Sequence, residues 1–91
     1  MTFYELDSSI RTNIEQLGRD AGCSWIEDFR DERGREPEPE ECDEEALATA
    51  ERLAYGPVPA ILKRHGLDAY DGLLREVQTV ISRHFVEALD V

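Results

Sequence analysis

Basic residues are scarce in this chain: ten Lys and Arg stand against 21 Asp and Glu, for a formal net charge of −11, and Lys63 is the single lysine. That deficit argues against direct nucleic-acid binding, which draws on counterion release at a basic surface, and against docking on anionic lipid. Long apolar runs are missing too, and none approaches the ~20 residues of a membrane span. The first residues carry Glu5 and Asp7, where a secretion signal needs positive charge followed by an apolar stretch. Strand-like alternation of apolar and polar residues is absent throughout. These absences predict an all-α protein in the cytoplasm of a bacterial host, with no membrane segment. At 91 residues the chain has room for one core, so residues 1–91 are expected to form a single domain.

Helical periodicity carries the rest of the chain. Asp7 or Ser8 can cap a first helix whose apolar residues Ile10, Ile14, Leu17 and Ala21 recur at spacings of four, three and four. Gly18 and Gly22 each lower helix propensity by roughly 1 kcal/mol relative to Ala, which predicts a kink or break near residues 18–24. The pattern resumes at Trp25, Ile26 and Phe29 and stops at Gly34. An acidic, proline-containing connection at about 34–43 follows, and Pro37 and Pro39 make residues 35–41 non-helical. Asp43 is then expected to cap a helix through Tyr55, with Ala46, Leu47, Ala50, Leu53 and Ala54 on its inner side. Those small residues allow close approach of a neighbour. Gly56-Pro57 ends that helix, a short helix runs from Pro57 to His65, and Gly66 closes it. The last helix is expected from residue 69 to 89, capped by Asp68. Its arc of Tyr70, Leu73, Leu74, Val77, Val80, Ile81, His84, Phe85 and Ala88 makes it, at ~30 Å, the spine of a compact bundle of four to five short helices.

Chemistry-bearing patterns are thin. Cys23 and Cys42 have 18 residues between them, as do His65 and His84, and neither pair has the short spacing that lets one local turn supply two zinc ligands. No nucleophile elbow, phosphate loop or calcium loop occurs. A helix-turn-helix near Pro59–Val80 fails because its second helix would begin Asp68-Ala69-Tyr70-Asp71, facing phosphates with carboxylates. His84 falls on the apolar arc, where it reads as a core histidine hydrogen-bonded to a backbone carbonyl or carboxylate rather than as a general base or a pH-sensitive hinge. Neither catalysis, nor a metal, nor another cofactor is expected.

The charge itself is the informative feature. Between Glu27 and Glu45, eleven acids face Arg30, Arg33 and Arg35, so 19 residues hold −8 of the −11. The flanking segments are nearly balanced, unlike the evenly spread acidity of a salt-adapted protein. Glu27, Asp28, Asp31 and Glu32 stand at helical spacings that place carboxylates ~6 Å apart. Glu36, Glu38 and Glu40 alternate with prolines, at about 6 Å in an extended run. Glu41, Asp43, Glu44 and Glu45 crowd a helix start. Such a belt suits a basic protein surface, and the nucleic-acid groove of a DNA- or RNA-handling complex is the expected partner. The function class is a phage- or plasmid-type inhibitor by DNA mimicry, of the anti-CRISPR or antirestriction kind. The alternative is a small helical adaptor, antitoxin or regulatory subunit working through apolar helix faces such as Trp25, Ile26, Phe29 and Val86, with a homodimer as one form.

Overall fold

Helix α1 (Ser8–Arg33) runs unbroken through both of its glycines in the computed structural model, which describes residues 2–89. The expected break near 18–24 does not occur, and packing explains why. A Cβ built on Gly18 would lie 2.7 Å from the Ile81 carbonyl oxygen, and one on Gly22 would lie 2.6 Å from that of Phe85. Both glycines are buried at a backbone-to-backbone contact that no other residue type permits. The propensity they lose is offset by close packing, so the Gly18-Arg19-Asp20-Ala21-Gly22 spacing marks an interface instead of a hinge.

The partner in that contact is α4 (Asp71–Leu89). Four residues along α1 match four residues along α4, from Gly18 at Ile81 to Gly22 at Phe85, so the two helices run parallel. Helix α2 (Pro39–Tyr55) packs on α4 with Ala46, Ala50 and Ala54, all buried. Its early residues Cys42 and Ala46 cluster with Phe85 and Leu89, while Ala50 and Ala54 join the core that holds Leu73 and Val77. It therefore descends as α4 ascends. Helix α4 lies between a glycine face and an alanine face, and this is the spine role expected of it. It is not the longest helix, since α1 has 26 residues and α4 has 19. The bundle measures 44 × 20 × 19 Å, and α1 at ~1.5 Å per residue nearly spans its length.

Two helix starts differ from expectation. Helix α2 begins at Pro39, not after Asp43: the missing proline N–H belongs to a first-turn position that needs no partner, and the fixed φ suits the helix. Glu38 is its N-cap, and the Glu41 carboxylate accepts the Glu38 backbone N–H at 3.0 Å. Glu40 and Glu41 are consequently helical, and the extended run stops at Glu38. Helix α4 begins at Asp71, where the Tyr70 carbonyl accepts the first bond, from Leu74 N–H at 3.0 Å. Asp68 is exposed in the non-helical stretch before it and caps nothing, and Tyr70 is exposed rather than part of the buried arc.

The other boundaries follow the chain's own signals. Gly34 ends α1 at φ 65, its N–H bonded to Arg30 O at 2.9 Å. Helix α3 (Pro57–Arg64) closes with Gly66 at φ 73. There Leu67 N–H reaches Leu62 O and Gly66 N–H reaches Lys63 O, both at 3.0 Å, the paired bonds of a left-handed glycine stop. Phe3 and Leu6, in and beside a single tight turn (Phe3–Glu5), are core residues. The spacing of Phe3, Leu6 and Ile10 carries that signal in the sequence. Among the described residues no helix is long and apolar enough to cross a membrane.

Replacing Gly18 or Gly22 by Ala is expected to destabilise the protein by about 1–3 kcal/mol in urea unfolding, the usual cost of overpacking. The same change on an exposed helix face stabilises by about 1 kcal/mol, so an increase in stability would contradict the close approach.

Candidate functional site: the acidic pole

Parallel packing of α1 and α4, with α2 reversed, brings three helix ends together. The C-termini of α1 and α4 and the N-terminus of α2 meet around the cluster of Ile26, Cys42, Ala46, Phe85 and Leu89, with Trp25 packed on it. Two negative dipole ends and one positive end therefore share this pole. All eleven acids of the Glu27–Glu45 segment sit on it. Glu27, Asp28, Asp31 and Glu32 are exposed on the last two turns of α1, and Glu36, Glu38, Glu40, Asp43 and Glu44 are exposed on the connection and α2. Glu41 and Glu45 are half-buried, and Glu45 Oε1 accepts from Thr49 Oγ1 at 3.3 Å.

The three arginines of the segment shape the connection. Arg30 donates to Glu36 through Nε at 2.7 Å and Nη2 at 3.0 Å, tying α1 to the chain beyond Gly34. Arg35 forks onto Glu41 at 3.0 and 3.3 Å and also donates to the Glu36 carbonyl at 3.0 Å. The guanidinium groups of Arg33 and Arg35 lie 5.1 and 5.0 Å from the Phe29 ring centroid, within reach of its π-face. Phe29 and Ile26 are buried, and Trp25 is half-buried with its ring 5.7 Å from that of Phe85. These three residues form the floor of the pole, not the exposed apolar patch the alternative reading places there. Glu41, Glu44, Glu45 and Arg33 ring a hollow of ≈ 190 Å³ above Trp25 and Phe29.

Ion pairs between described residues thus engage Glu36 and Glu41 out of the eleven. The Glu41 carboxyl is held below the usual carboxylate range, first by the hydrogen bond from Arg35 and then by the one from the Glu38 N–H. Arg35 is shifted upward by the same bond. Nearby, burial raises the Cys42 thiol, and Asp43 and Glu41 push it the same way. Cys23 is exposed on α1, and both cysteines are free.

His84 is buried beside the Gly18 contact, as the sequence reading has it, but the hydrogen bond expected with that burial is not formed. Its Nε2 is 3.4 Å from Glu15 and its Nδ1 is 3.4 Å from Glu87, yet neither nitrogen makes a well-formed hydrogen bond. Among the described residues no three His, Cys, Asp or Glu side chains are grouped closely enough to hold a metal ion.

Sequence reasoning misplaced one residue that matters. Leu47 belongs to the solvent side of α2, 67% exposed, and with Val86 at 39% it forms an open groove between α2 and α4. The clue was its neighbours: Asp43, Glu44 and Glu51 stand at i−4, i−3 and i+4 from Leu47, so that helix face is charged. No family model, curated protein or solved structure matches this chain.

Glu41 supplies a pH test. Because its carboxyl titrates lower in the folded chain than in the unfolded one, its contribution to stability is full above the ordinary carboxylate range. That contribution is lost as pH falls through the folded value. In an NMR titration the Glu41 carboxyl midpoint should move up towards the ordinary range in R35Q. An unmoved Glu41 midpoint would remove Arg35 from its role.

Proposed function

We propose that the protein is a non-enzymatic binding protein whose acidic pole occupies the basic nucleic-acid groove of a DNA- or RNA-handling complex. In this reading it acts by mimicry, as phage- or plasmid-type anti-CRISPR and antirestriction inhibitors do. The observation that carries the reading is the gathering of eleven acids on one end of a 44 Å bundle, with ion pairs at only Glu36 and Glu41 among the described residues. The density is of the right order. Duplex DNA presents one charge per ~1.7 Å, or roughly 12 over 20 Å of axis. The pole presents a net −8 from its 19-residue segment across an end of about 20 × 19 Å. Like charges so placed oppose folding, and a basic groove in a partner relieves that repulsion on binding.

Inhibition on this reading is competitive occlusion. Association is steered by opposite fields, so it is fast at low salt and weakens as ionic strength rises. The bundle beneath supplies rigidity, because the arginine clamps at Glu36 and Glu41 fix the connection before any partner arrives. The alternative, an adaptor, antitoxin or regulatory subunit working through apolar faces, draws on the exposed Leu47 and Val86.

Changing Glu27, Asp28, Asp31, Glu32, Glu40 and Glu44 to their amides, which leaves the clamps at Glu36 and Glu41 and the Glu38 cap in place, separates the two. A pull-down with the tagged protein from a bacterial lysate should retain a nucleic-acid-binding complex at low salt. High salt should release it, and the neutralised variant should not capture it. A partner that survives high salt and binds the neutralised variant equally would overturn mimicry.

A further inference from the structure

The groove between α2 and α4 adjoins the acidic pole and has a distinct composition. Ala46, Leu47 and Val86 line it, Asp43, Arg83 and Glu87 stand at its rim, and its volume is ≈ 500 Å³. A second depression continues from it at Asp43 and Val86 to Pro37, Pro39 and Cys42. From Pro39 to Leu47 the apolar track covers nine residues of α2, a rise of ~12 Å, about the length of two helical turns. Leu47 and Val86 are the two large aliphatic residues most exposed on the described surface. A groove of this length presents anchors for side chains at i, i+3 or i+4, and i+7 of a docked helix.

Charge decides which helix. Asp43, Glu44 and Glu51 flank Leu47 on α2, and Glu87 follows Val86 on α4. Arg83 is the single basic residue at the rim, and its Nη2 donates to the Tyr4 hydroxyl at 3.4 Å. The last turn of α4 contains no basic residue of its own among the described residues. A second copy of this chain is a poor occupant. Its basic run, Lys63 and Arg64, follows apolar residues Val58, Ile61 and Leu62 that are already buried, and two chains of −11 repel.

We infer that this groove receives a basic amphipathic helix of the partner protein, its apolar stripe on Leu47 and Val86 and its Lys or Arg side chains over Asp43, Glu44, Glu51 and Glu87. Nucleic-acid-binding proteins commonly enter the DNA major groove with a helix flanked by basic residues. The inference rests on the mimicry reading for the sign of those flanking charges. It adds an apolar anchor, which gives a salt-resistant component to an otherwise salt-sensitive interaction.

The test uses a displayed library of helical peptides, selected on the full chain at low salt and then measured against L47Q and V86Q. Both variants preserve charge at exposed positions, circular dichroism checks their fold, and either alone decides the matter. Selected peptides should carry Leu, Ile or Phe at i, i+3 or i+4 and i+7 with Lys or Arg alongside, and should lose at least about tenfold in affinity on L47Q or V86Q. Basic peptides that bind both variants unchanged would overturn the groove while leaving the acidic pole as a binding surface. Apolar peptides without basic flanks that still need Leu47 would overturn the occupant named here and count against mimicry. A library that yields no binder, or a wild-type dimer in sedimentation that L47Q dissolves, would overturn the inference as well.

Discussion

The near-contact of the α1 backbone with the α4 backbone at Gly18 and Gly22 is the constraint on which the other features depend. With hydrogen at both positions, the Ile81 and Phe85 carbonyls come closer than any Cβ allows. That approach sets the parallel order of α1 and α4 and buries Ile10, Ile14, Ile26 and Phe29 along the same side of α1. It also carries the end of α4 to the end of α1. The cluster beneath the acidic pole, with Phe85 and Leu89 against Ile26 and Cys42, exists because the two helices rise together. On the other side of α4, Ala46, Ala50 and Ala54 let α2 approach by the same means, small side chains at helical spacing.

The pole itself shows how a chain tolerates concentrated like charge. Arg30 and Arg35 neutralise the two carboxylates nearest the turn, and Phe29 provides a π-face for Arg33 and Arg35. First-turn acids Glu40 and Glu41 face the positive end of the α2 dipole. These local interactions order the connection without covering the remaining acids, which stay at the surface. Fold and charge are thereby separated: apolar and small residues hold the bundle, and most carboxylates of the acidic segment stay exposed.

Much of this was legible in the sequence, and the misreadings have identifiable causes. Periodicity found the helices because burial repeats every three to four residues, and Gly34, Gly56-Pro57 and Gly66 marked ends by local backbone chemistry. The two glycines of α1 misled because propensity is local, whereas their purpose is a contact with residues 63 positions further on. Pro39 misled for a related reason: a proline that stops a helix interior also suits a helix start, and which applies depends on the cap that Glu38 and Glu41 form. The belt residues could be named from charge alone. Their gathering on one end with the C-terminus of α4 could not, since that needs the parallel packing. Leu47 was assigned to the core because its own apolarity outweighed the charge of its neighbours.

The most direct test of this account is a set of through-space NMR contacts from the α protons of Gly18 and Gly22. Cross-peaks from Gly18 to Ile81 and His84, and from Gly22 to Phe85 and Ala88, are the predicted result, and they fix both the close approach and the parallel order. Cross-peaks in the opposite order, or none between these helices, would contradict the packing from which the acidic pole is built.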